Sequence, residues 1–190
     1  MYIASKKRKE NIAEYLLYMW QIEDIIRANG MDLDRIKESV VKQFTSDPEQ
    51  LREMAEWYES LIDMMRREDV AAKGHLQMNK NIIGELADLN RRVLADPRFV
   101  DYHKEYYATL PFIVELRAKA GEAKAGEIET CFNALYGMLM LRLKKAPISD
   151  DTARAMAQIS RFIALLAKYF HLDEEDKLFN DKDADAEGGN

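Results

Sequence analysis

Apolar residues recur at helical spacing along nearly the whole chain, and the alternation that marks strands is missing. The densest stretch is Asn11 to Arg27, NIAEYLLYMWQIEDIIR. With Ile12 at the origin and ~100° per residue, Ile12, Ala13, Tyr15, Leu16, Leu17, Met19, Trp20, Ile22 and Ile26 fill an arc wider than the stripe of a surface helix. Such a helix needs cover on several sides. Glu23 falls inside that arc, between Leu16 and Met19, and is predicted to point inward.

The remaining helices follow from punctuation and faces. The first is expected to run from about Ser5 to Asn29-Gly30, where Gly30 can close it in the left-handed conformation. Asp32 or Asp34 caps a short helix carrying Leu33, Ile36, Val40 and Phe44. Asp47-Pro48 opens a helix to about Ala72 whose inner side holds Leu51, Met54, Trp57, Tyr58, Leu61, Ile62 and Met65. A fourth runs from about His75 to Ala95 on Ile82, Leu86, Leu89 and Val93, with Asn79 and Asn90 at the edge of the same arc. Asp96-Pro97 opens a fifth, whose arc takes in Phe99, Tyr102, His103, Tyr106, Tyr107, Leu110, Ile113 and Val114 with Arg117 at its centre; Pro111 is expected to kink or split it. The tandem AKAGE units, 118 to 127, read as a connector. A sixth helix, about Glu127 to Lys145, buries Ile128, Phe132, Leu135, Tyr136, Leu139 and Leu143, with Cys131, Met138 and Arg142 on one shoulder. Ser149 caps a seventh that runs to about His171. The fold class expected is therefore all-α, a single-domain bundle of about six to seven helices around an apolar N-terminal helix.

Composition narrows the class without naming a chemistry. A chain of 190 residues, 47% apolar, can bury one core. Cys131 is the sole cysteine, so no intrachain disulfide can form, which fits a reducing compartment, and no signal-type or bilayer-length apolar run is present. A cytoplasmic protein without membrane insertion is the expectation. The formal net charge of −6 resides in residues 173 to 190, where eight acids stand against two lysines. That stretch reads as an acidic disordered tail, leaving 1 to 172 as the bundle domain. Lys6, Lys7, Arg8 and Lys9 would sit near the positive end of the first helix dipole, an unfavourable place for cations. Four cations with no second basic cluster are a weak nucleic-acid footprint.

The candidate polar core or ligand pocket consists of Glu23, Asn79, Asn90, His103, Tyr106, Arg117 and Arg142. An inward Glu must be paired, hydrogen-bonded or protonated, because an ionised carboxylate left alone costs several kcal/mol. Arg117 and Arg142 are the candidate partners, since a bidentate guanidinium satisfies a carboxylate best. Two readings stay open for Glu23, a structural ion pair and a residue lining a pocket. No Glu-x-x-His pair, HExxH, Cys-x-x-Cys, glycine phosphate loop or GxSxG occurs, so no catalytic residue, metal ligand or cofactor site is assigned.

The opening segment, with Asn11, Glu14, Tyr15, Trp20, Gln21, Glu23 and Asp24, resembles a family of helical bacterial proteins known only as a domain of unknown function, of roughly 180 residues, an ordinary single-domain size. The likeness covers most of the body and excludes the acidic tail. It implies a single helical domain and carries no activity to transfer. Two functions follow as expectations: a non-enzymatic protein-interaction module forming a homodimer, from the excess of apolar helix surface rich in Met and Tyr; or a bundle binding a small ligand in an internal pocket near Glu23 and His103.

Overall fold

The computed structural model describes residues 2–119 and 125–180, all of whose regular elements are helices. They run as α1 (Tyr2–Glu10), α2 (Ile12–Ala28), α3 (Leu33–Ile36), a π-helical turn (Lys37–Val41), α4 (Lys42–Phe44), α5 (Pro48–Arg67), α6 (Gln77–Ala95), α7 (Val100–Lys119), α8 (Glu127–Leu143) and α9 (Asp150–Glu174). The chain is all-α, as expected, and it forms two compact units. One comprises the described residues up to Glu10 with Glu14–Ile82; the other comprises Asn11–Ala13 and the described residues from Ile83 onward.

In the first unit α2 is the most deeply buried element, with Tyr15, Leu16, Met19, Trp20, Ile22 and Ile26 all nearly inaccessible. It does not begin at Ser5. Asn11 interrupts the helix, and its Oδ1 accepts the Ala13 N–H at 3.0 Å, an Asn cap at the point where periodicity alone suggests continuity. This break reverses the expected electrostatics of the basic run. Lys7, Arg8 and Lys9 lie in the last turn of α1, the negative end of its dipole, where cations are favourable. Gly30 takes φ +69° after α2, and the 6→1 bond from Met31 N–H to the Ile26 carbonyl closes the helix as expected.

The short helix after Asp32 contains a finding the periodicity did not predict. Asp32 caps it through the N–H groups of Asp34 and Arg35. The turn Lys37–Val41 is then π-helical, so one extra residue enters the turn and the buried partner of Ile36 is Val41 instead of Val40. Phe44, expected inside, is exposed. Asp47 caps α5 with Pro48 in the first turn, and Met54, Tyr58, Leu61, Ile62 and Met65 form its inner stripe as expected. The helix stops at Arg67, short of Ala72, because Asp69 turns left-handed at φ 57° and Val70 N–H bonds back to the Met65 carbonyl.

In the second unit α7 packs on α9 and both pack on α8. The inner side of α6 holds Leu86, Leu89 and Val93 here, as expected. Aromatic rings dominate the α7–α9 contact. Tyr102 stacks on Tyr169 with centroids 5.4 Å apart, while Tyr106 meets Phe162 edge-on at 5.8 Å. Helix α7 runs unbroken through Pro111, so the expected split does not occur. The proline withholds an N–H from the carbonyl of Tyr107, a residue exposed enough for water to serve instead. Gln158 of α9 donates to Glu105 Oε2 at 2.9 Å and to Thr109 Oγ1 at 3.2 Å, fixing the register of the pair. On α8 the buried residues are Ile128, Thr130, Cys131, Phe132 and Met138; Leu143 and Arg142, expected at or beside the core, are exposed in its last turn.

Ser149 caps α9, which continues through Glu174. The expected tail boundary at 173 therefore falls inside a helix. Arg92 forms a two-pronged ion pair with Asp173 and lies over the Phe179 ring at 5.1 Å, and Phe99 meets that ring at 5.4 Å. Residues 181 to 190 of the expected tail and 120 to 124 of the AKAGE connector lie outside the described residues. No helix among the described residues is long and apolar enough to cross a membrane.

The π-helical register has a measurable consequence. Val41→Ala should cost about 2 kcal/mol in urea unfolding, as expected of a buried methyl deletion, and Val40→Ala under ~1 kcal/mol. A regular α-helical register would reverse that order.

Candidate functional site

The polar cluster with the most deeply buried charge forms where α2 meets the segment joining α5 to α6. Trp20, Glu23 and Arg27 stand at i, i+3 and i+7, hence on one face of α2. The segment they face, 68 to 76, has no regular structure, so its polar backbone groups need other partners. Gly74 turns there at φ +89°, a conformation that favours glycine.

Glu23 is 0% exposed. Its Oε1 accepts the Leu76 backbone N–H at 2.9 Å and the Asn79 Nδ2 at 2.7 Å, and its Oε2 lies 2.6 Å from His75 Nδ1. A carboxylate only accepts, so the network assigns the proton to Nδ1. The imidazole stacks on the Trp20 indole at 4.0 Å with planes 14° apart. One turn on, Arg27 donates to the carbonyls of Val70, at 3.1 Å, and Gly74, and pairs with Asp24 at 2.9 Å. Glu68 accepts the Gln77 N–H at 2.6 Å as α6 begins. Helix α2 thus holds the connecting segment by an aromatic face, a carboxylate and a guanidinium. Asn79 is completely buried and its Oδ1 has no hydrogen-bond partner among the described residues.

Glu23 points inward as expected, but its partners are His75, Leu76 and Asn79 in place of Arg117 or Arg142. Asn79 is the one other candidate that joins it. Asn90 accepts the Tyr102 hydroxyl at 2.7 Å; Tyr106 donates to Glu127 Oε2 at 2.9 Å; His103 Nε2 lies 3.3 Å from the Val93 carbonyl. Arg117 is half-buried with its Nε lacking a hydrogen-bond partner among the described residues, and Arg142 is exposed. Glu23 and His103 belong to separate units, and each is engaged with partners of its own. Cavities of about 450, 680 and 220 Å³ are lined by none of the seven candidates.

Sequence reasoning missed His75, Trp20 and Arg27 as a group. His75 precedes the regular part of α6, where helical periodicity assigns no face. The available signal was an inward carboxylate on α2 together with a histidine beside a glycine.

Burial raises the pKa of two groups in the second unit. It pushes the Cys131 thiol up to about 12, with the Glu127 charge adding to the effect. It also pushes the Tyr106 phenol up to about 12, assisted by its hydrogen bond to Glu127. Among the described residues, no three or more of His, Cys, Asp and Glu converge where they could hold a metal ion.

A family model described as a domain of unknown function, DUF4924, matches residues 1–177, and the chain belongs to that family. No curated protein and no solved structure matched.

Two measurements test this geometry. Glu23→Ala leaves three donors without their acceptor and should cost about 3–5 kcal/mol in chemical denaturation; a loss under ~1 kcal/mol, the size of an ordinary surface effect, would contradict the network. Burial holds Cys131 in the thiol form, whereas the thiolate is the reactive one. Maleimide should label it only after unfolding, and rapid labelling of the folded chain would contradict its burial.

Proposed function

We propose that this DUF4924 chain is a protein-interaction module that self-associates through the outer face of α7. The observation that carries the reading is the exposure of Val100, Tyr107 and Val114, at 69%, 63% and 59%, spaced seven residues apart on one helix. His103, Leu110 and Arg117, all half-buried, fall between them. The six make the three-four spacing of a coiled-coil seam. Large apolar side chains exposed at that spacing have no use in an isolated helix, and they match the surface that two helices bury together.

The chemistry of the seam favours a second copy in the antiparallel sense. A two-fold axis between Ala108 and Thr109 sets Tyr107 against Leu110 of the second copy, His103 against its Val114, and Val100 against its Arg117. The two Arg117 guanidinium groups then lie at opposite ends of the seam, whereas a parallel pairing would set them against each other. Avoiding such a like-charge contact fixes orientation more than it adds affinity.

The basic run of α1 supports no rival reading as a nucleic-acid surface. Lys6 and Lys7 are paired with Glu10 and Glu14 at 3.8 and 3.0 Å, which removes half of an already small footprint.

Sedimentation velocity at micromolar concentration should give a dimer that Tyr107→Lys converts to monomer without loss of helical signal. Val114→Lys, in the same seam, should do the same. A wild-type monomer throughout that range, or a dimer indifferent to Tyr107→Lys, would overturn the reading.

A further inference from the structure

Beneath α1 in the first unit, a cavity of about 220 Å³ opens between α1, α2, α5 and the start of α6. Met19, Met64 and Met78 contribute to its lining from three different helices, with Trp57 and Tyr15 beside them. Thioethers are soft, flexible and polarisable, which suits a surface that must mould itself to an apolar guest. The one cationic side chain in the lining is Arg8, whose guanidinium carbon lies 5.8 Å from the centroid of the Tyr15 ring.

Arg8 differs from the lysines before it. Lys6 and Lys7 have carboxylate partners, whereas Arg8 has none among the described residues and is exposed at the edge of the cavity. A guanidinium offers a planar pair of N–H donors that matches a carboxylate, and stacking on Tyr15 limits its freedom before any ligand arrives. A guanidinium held against Tyr15, with no carboxylate partner among the described residues, at the edge of a thioether and aromatic lining is a recognition pattern for an anion with an apolar body. The volume equals that of about seven waters at ~30 Å³ each, which restricts the guest to a small molecule.

We propose that this cavity is a binding site for a small monocarboxylate with an apolar body, a short-chain or aromatic acid. Arg8 takes the carboxylate at the exposed edge. The chain or ring lies against Met19, Met64, Met78 and Trp57. Because α1 buries only Ala4, small shifts of that helix can admit the guest without disturbing the rest of the unit.

The test is a titration of the full chain with hexanoate, hexanol and hexylamine, followed by the methyl resonances of ¹³C-methionine. Hexanoate should shift the Met19, Met64 and Met78 methyls in one saturable process, binding more tightly than hexanol, with hexylamine weakest. Arg8→Gln should weaken hexanoate by about tenfold, the factor expected of one lost charge-assisted contact, and leave hexanol unchanged. Lys9→Gln, which removes the same charge from a residue outside the cavity lining, should leave both unchanged. Three results would overturn the proposal: no shift of those methyls by millimolar hexanoate, hexylamine binding as tightly as hexanoate, or equal losses from Arg8→Gln and Lys9→Gln. Arg8 is exposed, so circular dichroism of the Arg8→Gln chain separates a lost contact from a lost fold.

Discussion

The completely buried Glu23 carboxyl group is the constraint around which the first unit is arranged. Removing a carboxylate from water costs several kcal/mol unless its oxygens are matched with donors. Here the donors come from a backbone N–H, an amide and an imidazole, all carried by residues 75 to 79. The cost can be offset only while that short segment is in place. Arg27 adds the reciprocal condition, since the carbonyls of Val70 and Gly74 receive their donors from it. The connector between α5 and α6 is thus specified by its hydrogen bonding to α2, with Trp20 covering the imidazole.

Which parts of this were legible in the chain depends on the range of the interaction that decides them. Helix starts are local, and Asp47-Pro48 and Ser149 mark theirs because the cap and its N–H partners lie within three residues. The inward aim of Glu23 is also local, fixed by angle around one helix. Its partners are not: His75 is fifty-two residues away in a segment without periodicity, and chemistry alone points to Arg117 and Arg142. Arg142 shows the other limit. Its angular position on α8 is near the core, but Leu141 and Leu143 beside it are also exposed, so the last turn lies beyond the cover that angle cannot reveal.

Helix α7 shows why an apolar arc is an ambiguous signal. Its tyrosines and aliphatic residues span more than one face, and periodicity reads them as a single buried side. The structure divides them: Tyr102, Tyr106, Thr109 and Ile113 pack inside the unit, while Val100, Tyr107 and Val114 remain outside. An arc that wide does not say which of its positions a neighbouring helix covers. Asn11 illustrates the converse. A single polar residue inside a helical pattern ends one helix and caps the next, and in doing so changes the sign of the dipole term for the cations before it.

The π-helical turn at Lys37–Val41 bears on how relatives of this chain should be aligned. A five-residue turn inside an otherwise ordinary helix holds one residue more than a regular turn and so shifts the register of the face that follows it. A relative with a regular turn would be one residue shorter here, and placing the gap anywhere else would set Val40 where Val41 belongs and assign a core position to solvent. The segments on either side of the turn should therefore be compared as separately registered blocks.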